Sequence, residues 1–185
     1  MLLPRSGLAL NRIVLHGQIQ LSQEDLANLA RQTPSLNSPA DLKAFEQQVQ
    51  QQTQRLHALL TAKAVQEAVL APTLNQAVRT FLHACPKRFK NQGLRPVTLR
   101  FAQGPAVVVF VAYYSQGQAR SGKRSPGLFP ALLLLGIHDR CSPSLASEAG
   151  QLVALLGSFA EARCLLKQRG CSMSVNTLRL SLIHI

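Results

Sequence analysis

Acidic side chains are scarce. The 185-residue chain carries eight Asp and Glu against twenty Lys and Arg, a formal charge of +12. Residues 68–138 hold nine of the cations and no acid at all. A block of one sign favours a polyanion as partner; the competing expectation is a solvated basic face that only keeps the chain soluble. Low hydrophobicity is also missing: 46% of the residues are hydrophobic, which excludes the weakly apolar, highly charged composition of intrinsic disorder. Long apolar runs are absent. Residues 106–112 and 128–135 fall far short of the roughly 18 residues a membrane span needs, so both are read as core and no membrane partner is expected. Residues 1–15 interrupt their apolar stretch with Arg5 and Arg12 and lack a small-residue cleavage site, which argues against a secretory signal and for the cytoplasm. The four cysteines, Cys85, Cys141, Cys164 and Cys171, form no CxxC pair. Neither a disulfide framework nor a zinc site is indicated, and they are expected to act as small buried hydrophobes. The length itself excludes a large multidomain enzyme.

What is present is helical punctuation around one central hairpin, giving a mainly α fold with a small β-hairpin, of class α+β. Ser22 with Glu24 and Asp25, Ser38-Pro39 with Asp41, and Thr73 with Gln76 all read as helix starts. After Ser38, the positions Leu42, Phe45, Val49, Gln52, Leu56 and Leu59 step by three and four along a long helix that ends before Pro72. This stripe either packs within the chain or pairs with a second copy, which would make residues 42–59 an oligomerisation surface. Past Gly93 the period becomes two. Val97, Leu99 and Phe101 alternate with Thr98 and Arg100, then Gly104-Pro105 turns the chain into an apolar strand at 106–114. That second strand is apolar on both faces and is expected to be covered twice. Four segments follow: a helical region at 1–92, a basic hairpin and loop at 93–127, a helix-turn-helix-like region at 128–179, and residues 180–185.

The candidate DNA contacts fall in two groups. Lys87, Arg88, Lys90, Arg95, Arg100, Arg120, Lys123 and Arg124 make up most of the acid-free stretch and suit phosphates, with Tyr113 and Tyr114 beside them as candidate stacking rings. In the C-terminal third, Ser142-Pro143 opens a helix that Gly157 ends, Ser158 with Glu161 opens a second that Gly170 ends, and Ser172 or Ser174 opens a third. Helix, glycine turn, helix is the layout in which the last helix offers its first side chains to the major groove. Here those are Ser174, Asn176, Thr177 and Arg179, where Asn suits adenine and Arg suits guanine. An ordinary helical hairpin has the same layout.

Catalytic constellations are missing. Residues 117–123, GQARSGK, match a phosphate-binding loop until Arg124 stands where Ser or Thr must hold magnesium. His16, His57, His83, His138 and His184 are scattered and suggest neither a base nor a metal ligand.

The stretch SPGLFPALLLLGIHDRCSPSLASEAGQLVALLGSFAEARCLLKQRGCSMSVNTLR at residues 125–179 resembles the region ahead of the catalytic core in bacterial insertion-sequence transposases of the acidic-triad (DDE) type. The Pro-Leu-rich turn, S-P-x-L at 142–145 and S-F-x-E-A at 158–162 carry the resemblance. It implies DNA as partner, self-association, and a divalent metal held by three acids of a catalytic core that lies outside this chain, so no cofactor is expected here. Some relatives follow the hairpin with a cysteine-bearing zinc ribbon, whereas this chain has a basic loop without cysteine. LSLIHI, residues 180–185, resembles the translation of a sequencing-library adapter, so the natural frame is expected to be represented only to about Arg179.

Overall fold

The computed structural model describes residues 3–31, 36–116 and 127–183, with residues 3–6 and 180–183 described by backbone alone. Helix α1 (Leu3–Arg31) and helix α2 (Pro39–Ala68) run side by side in opposite directions: Asn11 near the start of α1 reaches Gln66 near the end of α2. Ser38 caps α2 as expected, its hydroxyl accepting from the Asp41 N–H at 3.2 Å while Asp41 Oδ2 accepts from the Asn37 N–H at 3.2 Å. Ser22 starts nothing. It lies inside α1, fully buried, with no hydrogen-bond partner for its hydroxyl among the described residues; the two acids after it continue a helix already running. Helix α3 (Pro72–Ala84) likewise starts two residues earlier than a cap at Thr73 suggests, with Ala71 at the cap and Pro72 in the first turn, where its missing N–H costs nothing.

The stripe on α2 is displaced from the expected one. Gln54, Ala58, Leu59, Ala62 and Gln66 are buried, whereas Leu42 is 45% exposed and Phe45, Val49, Gln52 and Leu56 are half-buried beside α1. Small residues at steps of four let the neighbouring strand come close, so alanine takes the positions that hydropathy alone assigns to leucine.

Strand β1 (Lys90–Leu99) and strand β2 (Val107–Ser115) form the antiparallel hairpin, with Val97 opposite Val109 and an irregularity between Asn91 and Leu94. β1 begins at Lys90, three residues ahead of the Gly93 at which the period changes. Val97, Leu99, Phe101, Val107, Val109 and Val111 are buried in one core with Leu15, Ile19, Ala58, Leu59 and Ala62 of the helical pair and with Ala131, Leu132 and Ile137. The last group belongs to helix α4 (Pro130–Leu134) and the residues after it. The expected second cover on β2 is partial. The Phe110 ring lies against Gly7 of α1, while Val108 stays 39% exposed.

Among the described residues β2 has no third strand, and side chains finish its outer edge. The Phe110 N–H donates to Gln66 Oε1 at 2.7 Å and Gln66 Nε2 donates to the Phe110 carbonyl at 3.0 Å. Gln66 thus acts as one residue of a missing strand. Asn11 Nδ2 donates to Gln66 Oε1 at 3.3 Å and approaches the Val108 carbonyl at 3.4 Å, and Tyr114 exchanges a pair of backbone bonds with Leu128. Pro96 stands opposite Phe110. Because Phe110 directs its own groups outward, Pro96 occupies a ladder position where no N–H is required.

Helix α5 (Pro143–Leu156), helix α6 (Phe159–Gln168) and helix α7 (Val175–Ile183) pack pairwise around a second core of Cys141, Leu145, Ala149, Ala162, Leu166, Cys171, Met173 and Leu178. Ser142 and Ser158 cap the first two, accepting from the N–H groups of Leu145 and Glu161, and Gly157 closes α5. α7 continues through 180–183, the first part of the segment set apart in the sequence. Two of the four cysteines depart from the expected burial. Cys141 and Cys171 are buried, Cys85 is half-buried and Cys164 is exposed on α6.

Candidate nucleic-acid interface

The site residues divide by the end of the hairpin they occupy. Lys87 and Arg88 precede β1, Lys90 opens it opposite Ser115, and all three are exposed. Arg95 is exposed on the same strand, its guanidinium carbon 4.0 Å from the centre of the Tyr113 ring. Cation and ring brace each other there. Tyr113 is also tilted against Phe129, with ring centres 5.0 Å apart, and Gly127 closes on its hydroxyl end. Its faces are engaged within the fold, so it offers no open platform for a base. Tyr114 packs on the main core, and its hydroxyl accepts from Asn91 Nδ2 at 3.5 Å. Arg120, Lys123 and Arg124, with the GQARSGK segment, lie outside the described residues.

Arg100 belongs to a different place. Its backbone N–H donates to the Arg140 carbonyl at 2.8 Å, its carbonyl accepts from the Ser142 N–H at 3.0 Å, and its Nε donates to the Ser172 carbonyl at 3.3 Å. This side chain joins the hairpin to the helical unit and is half-buried in doing so. The same seam holds two glycines. Gly104 has φ +83 and Gly170 φ +79, a region only glycine adopts without strain. A Cβ on Gly104 would run into the Gln54 carbonyl, and one on Gly170 would meet Gln54 Oε1 at 3.0 Å and the Cα of Gly104 at 3.1 Å. The Gly104 N–H donates to the Arg169 carbonyl at 3.1 Å. The turn between α6 and α7 is therefore seated on the tip of the hairpin and on α2.

At the start of α7, Ser174 is the cap. Its hydroxyl accepts from the Thr177 N–H at 3.1 Å and lies 2.9 Å from Thr177 Oγ1. These two side chains hold the helix end together, while Asn176 is exposed. Arg179 is exposed with its guanidinium 5.2 Å from the Phe159 ring centre. The sequence reading passed over Arg163 and Lys167, exposed on α6. Their i, i+4 spacing, which puts both on one helix face, was the available signal. Arg169 is paired with Glu148 of α5.

Cys141 and Cys171 line the inner side of this seam. Burial pushes the Cys171 thiol up to about 11, with a further rise from Cys141 and an opposing pull from Arg100. Burial raises the Cys141 thiol as well, against Arg100. Both are held as neutral thiols. Among the described residues no three His, Cys, Asp or Glu side chains gather as metal ligands, and no helix is long and apolar enough to cross a membrane.

A cleft of about 450 Å³ opens between α2 and the start of α5, lined by His57, Thr61, Val65, Phe101, Leu135 and Ser142 among others. The cation groups lie elsewhere. No protein-family model, no curated protein and no solved structure matches the chain.

Proposed function

We propose that this chain is the DNA-binding N-terminal part of an insertion-sequence transposase of the acidic-triad type, with no catalytic residues of its own. The metal-binding acids, and the divalent ions they would hold, belong to a core outside it. The observation that carries the proposal is that Lys87, Arg88, Lys90 and Arg95 are all exposed, in a stretch of sequence that contains no acid. Cations in that setting release counterions from a phosphate polymer when they dock. The mutual packing of α5, α6 and α7, with a glycine turn before a last helix that exposes Asn176 and Arg179, supports a second contact in a major groove.

Lys90 stands at one end of β1, and Arg100, hydrogen-bonded to the turn that leads into α7, follows the other end; a duplex that touches both groups would have to run along the hairpin.

The test is DNA affinity as a function of salt. Four cations on four phosphates give a slope of log K against log salt of about −3 to −4. Replacing Lys87, Arg88 and Lys90 together with alanine should flatten it by about 2.7. A slope near zero, or no binding at low salt, overturns the proposal.

A further inference from the structure

Helix α1 carries an apolar stripe that nothing in the described chain covers. Leu10, Ile13, Val14 and Leu21 are 62, 70, 44 and 57% exposed. With Gly17 among them they share one face at about 100° per residue. Leu15, Ile19 and Ser22 on the opposite face are buried. Arg12 is exposed but lies roughly 160° from the middle of the stripe, so the polyanion favoured elsewhere finds no arginine or lysine between Leu10 and Leu21 on this face.

We propose that this stripe is the contact between two copies of the chain, crossing antiparallel about a twofold axis at Gly17. The spacing is self-complementary. Ile13 and Leu21 stand four residues to either side of Gly17, so each copy sets its Ile13 against the other's Leu21 and its Leu21 against the other's Ile13, as a twofold contact requires. No atom lies within 4 Å of the place a Gly17 Cβ would occupy, and the bare backbone there lets the helix axes close up at their crossing. A parallel pairing is disfavoured by Glu24, one step beyond Leu21 on the same face, which would meet its own copy, whereas the antiparallel crossing sets Glu24 against Leu10 of the other copy at the rim of the contact. The stripe offers on the order of 400 Å² of apolar surface, the size of the largest patch that a typical monomer exposes and that often serves a function. Val108, 39% exposed, lines a groove with Val14 and extends it. Doubled, this approaches the roughly 1,000 Å² at which specific interfaces begin. The dimer is accordingly weak and concentration-dependent.

The proposal does not depend on DNA binding and is tested without DNA, by sedimentation velocity of the full chain over a roughly hundred-fold range of concentration. The parent chain should move from monomer towards dimer. Ile13→Lys and Leu21→Glu should each stay monomeric throughout with unchanged circular dichroism, because both positions are exposed in the monomer. An equimolar mixture of the two variants should recover dimer, since the new lysine of one faces the new glutamate of the other. A parent chain that stays monomeric, a single variant that dimerises like the parent, or a mixture without recovery overturns it.

Discussion

Replacing Gln66 with leucine tests how the hairpin is held. The side chain is 1% exposed and serves both backbone groups of Phe110. Leucine has nearly the same volume and no hydrogen-bonding atoms, so the change strands a partly buried N–H and a partly buried carbonyl. Each stranded group costs about 1–3 kcal/mol, and the added apolar burial returns part of that, leaving a loss of about 3 kcal/mol. For a chain of this size each kcal/mol moves the thermal midpoint by about 2–4 °C, so Tm should fall by roughly 6–12 °C. Gln66→Glu separates hydrogen bonding from packing. A protonated carboxyl can donate to the Phe110 carbonyl and accept from its N–H, whereas a carboxylate can only accept and is buried as a charge. Its folded pKa then lies above the unfolded value of roughly 4.3. The variant should be close to the parent below that pH and lose stability as pH rises through the folded pKa. Calorimetry of the three proteins from acid to neutral pH decides the matter. A Leu variant within about 0.5 kcal/mol of the parent, or a Glu variant whose stability tracks the parent at every pH, would refute the edge-closing role of Gln66.

Two further outcomes follow from the seam and from α1. Gly104→Ala should cost about 3 kcal/mol or more, combining a left-handed backbone with a collision on the Gln54 carbonyl, while Gly17→Ala, mid-helix with open space around it, should gain about 0.5–1 kcal/mol; equal effects in urea unfolding would show the seam to be looser than drawn. For the thiols, Cys171 is raised to about 11 from its ordinary 9.0, so the neutral form is favoured in the folded state and its contribution is present below about pH 9 and lost as pH climbs towards 11. The melting temperature of the parent should therefore fall faster over that window than that of Cys171→Ala, and a thiol reagent at neutral pH should label Cys164 first, with Cys141 and Cys171 labelled only on unfolding.

The parts of the fold legible in the sequence are those fixed by local chemistry. Ser38, Ser142 and Ser158 cap helices where their spacing to Pro39, Pro143 and Glu161 indicates, and the alternation of Val97, Leu99 and Phe101 is the buried face of β1. What failed depends on partners distant in sequence. Ser22 has the same local signature as Ser38, but α1 was already under way and its buried face passes through position 22. The α2 stripe moved because β2 approaches over Ala58 and Ala62, and no hydropathy pattern in α2 records where a strand some fifty residues later will lie. The basic stretch was legible as charge but not as surface. Lys87, Arg88, Lys90 and Arg95 face solvent, whereas Arg100 looks identical in sequence and is turned into the seam by its bond to the Ser172 carbonyl. Ser174 was legible as a helix start or, with Thr177, as a groove contact, and the cap is the role their bonds express.

That seam fixes more than stability. Gly104 and Gly170 meet over Gln54 with no side chain between them, and Arg100 adds a bond to the turn that leads into α7. Removing any side chain from this contact was the only way to bring three backbones so close, and such contacts have little freedom to slide. The helical unit is therefore held at a set orientation to the hairpin instead of hanging from a flexible joint. A substitution at Gly170 would act at a distance: the caps of α7 and the row at Lys87–Lys90 would each stay intact while the spacing between them changed. Ligands that touch only one of the two elements would not sense it, and a ligand that spans both would.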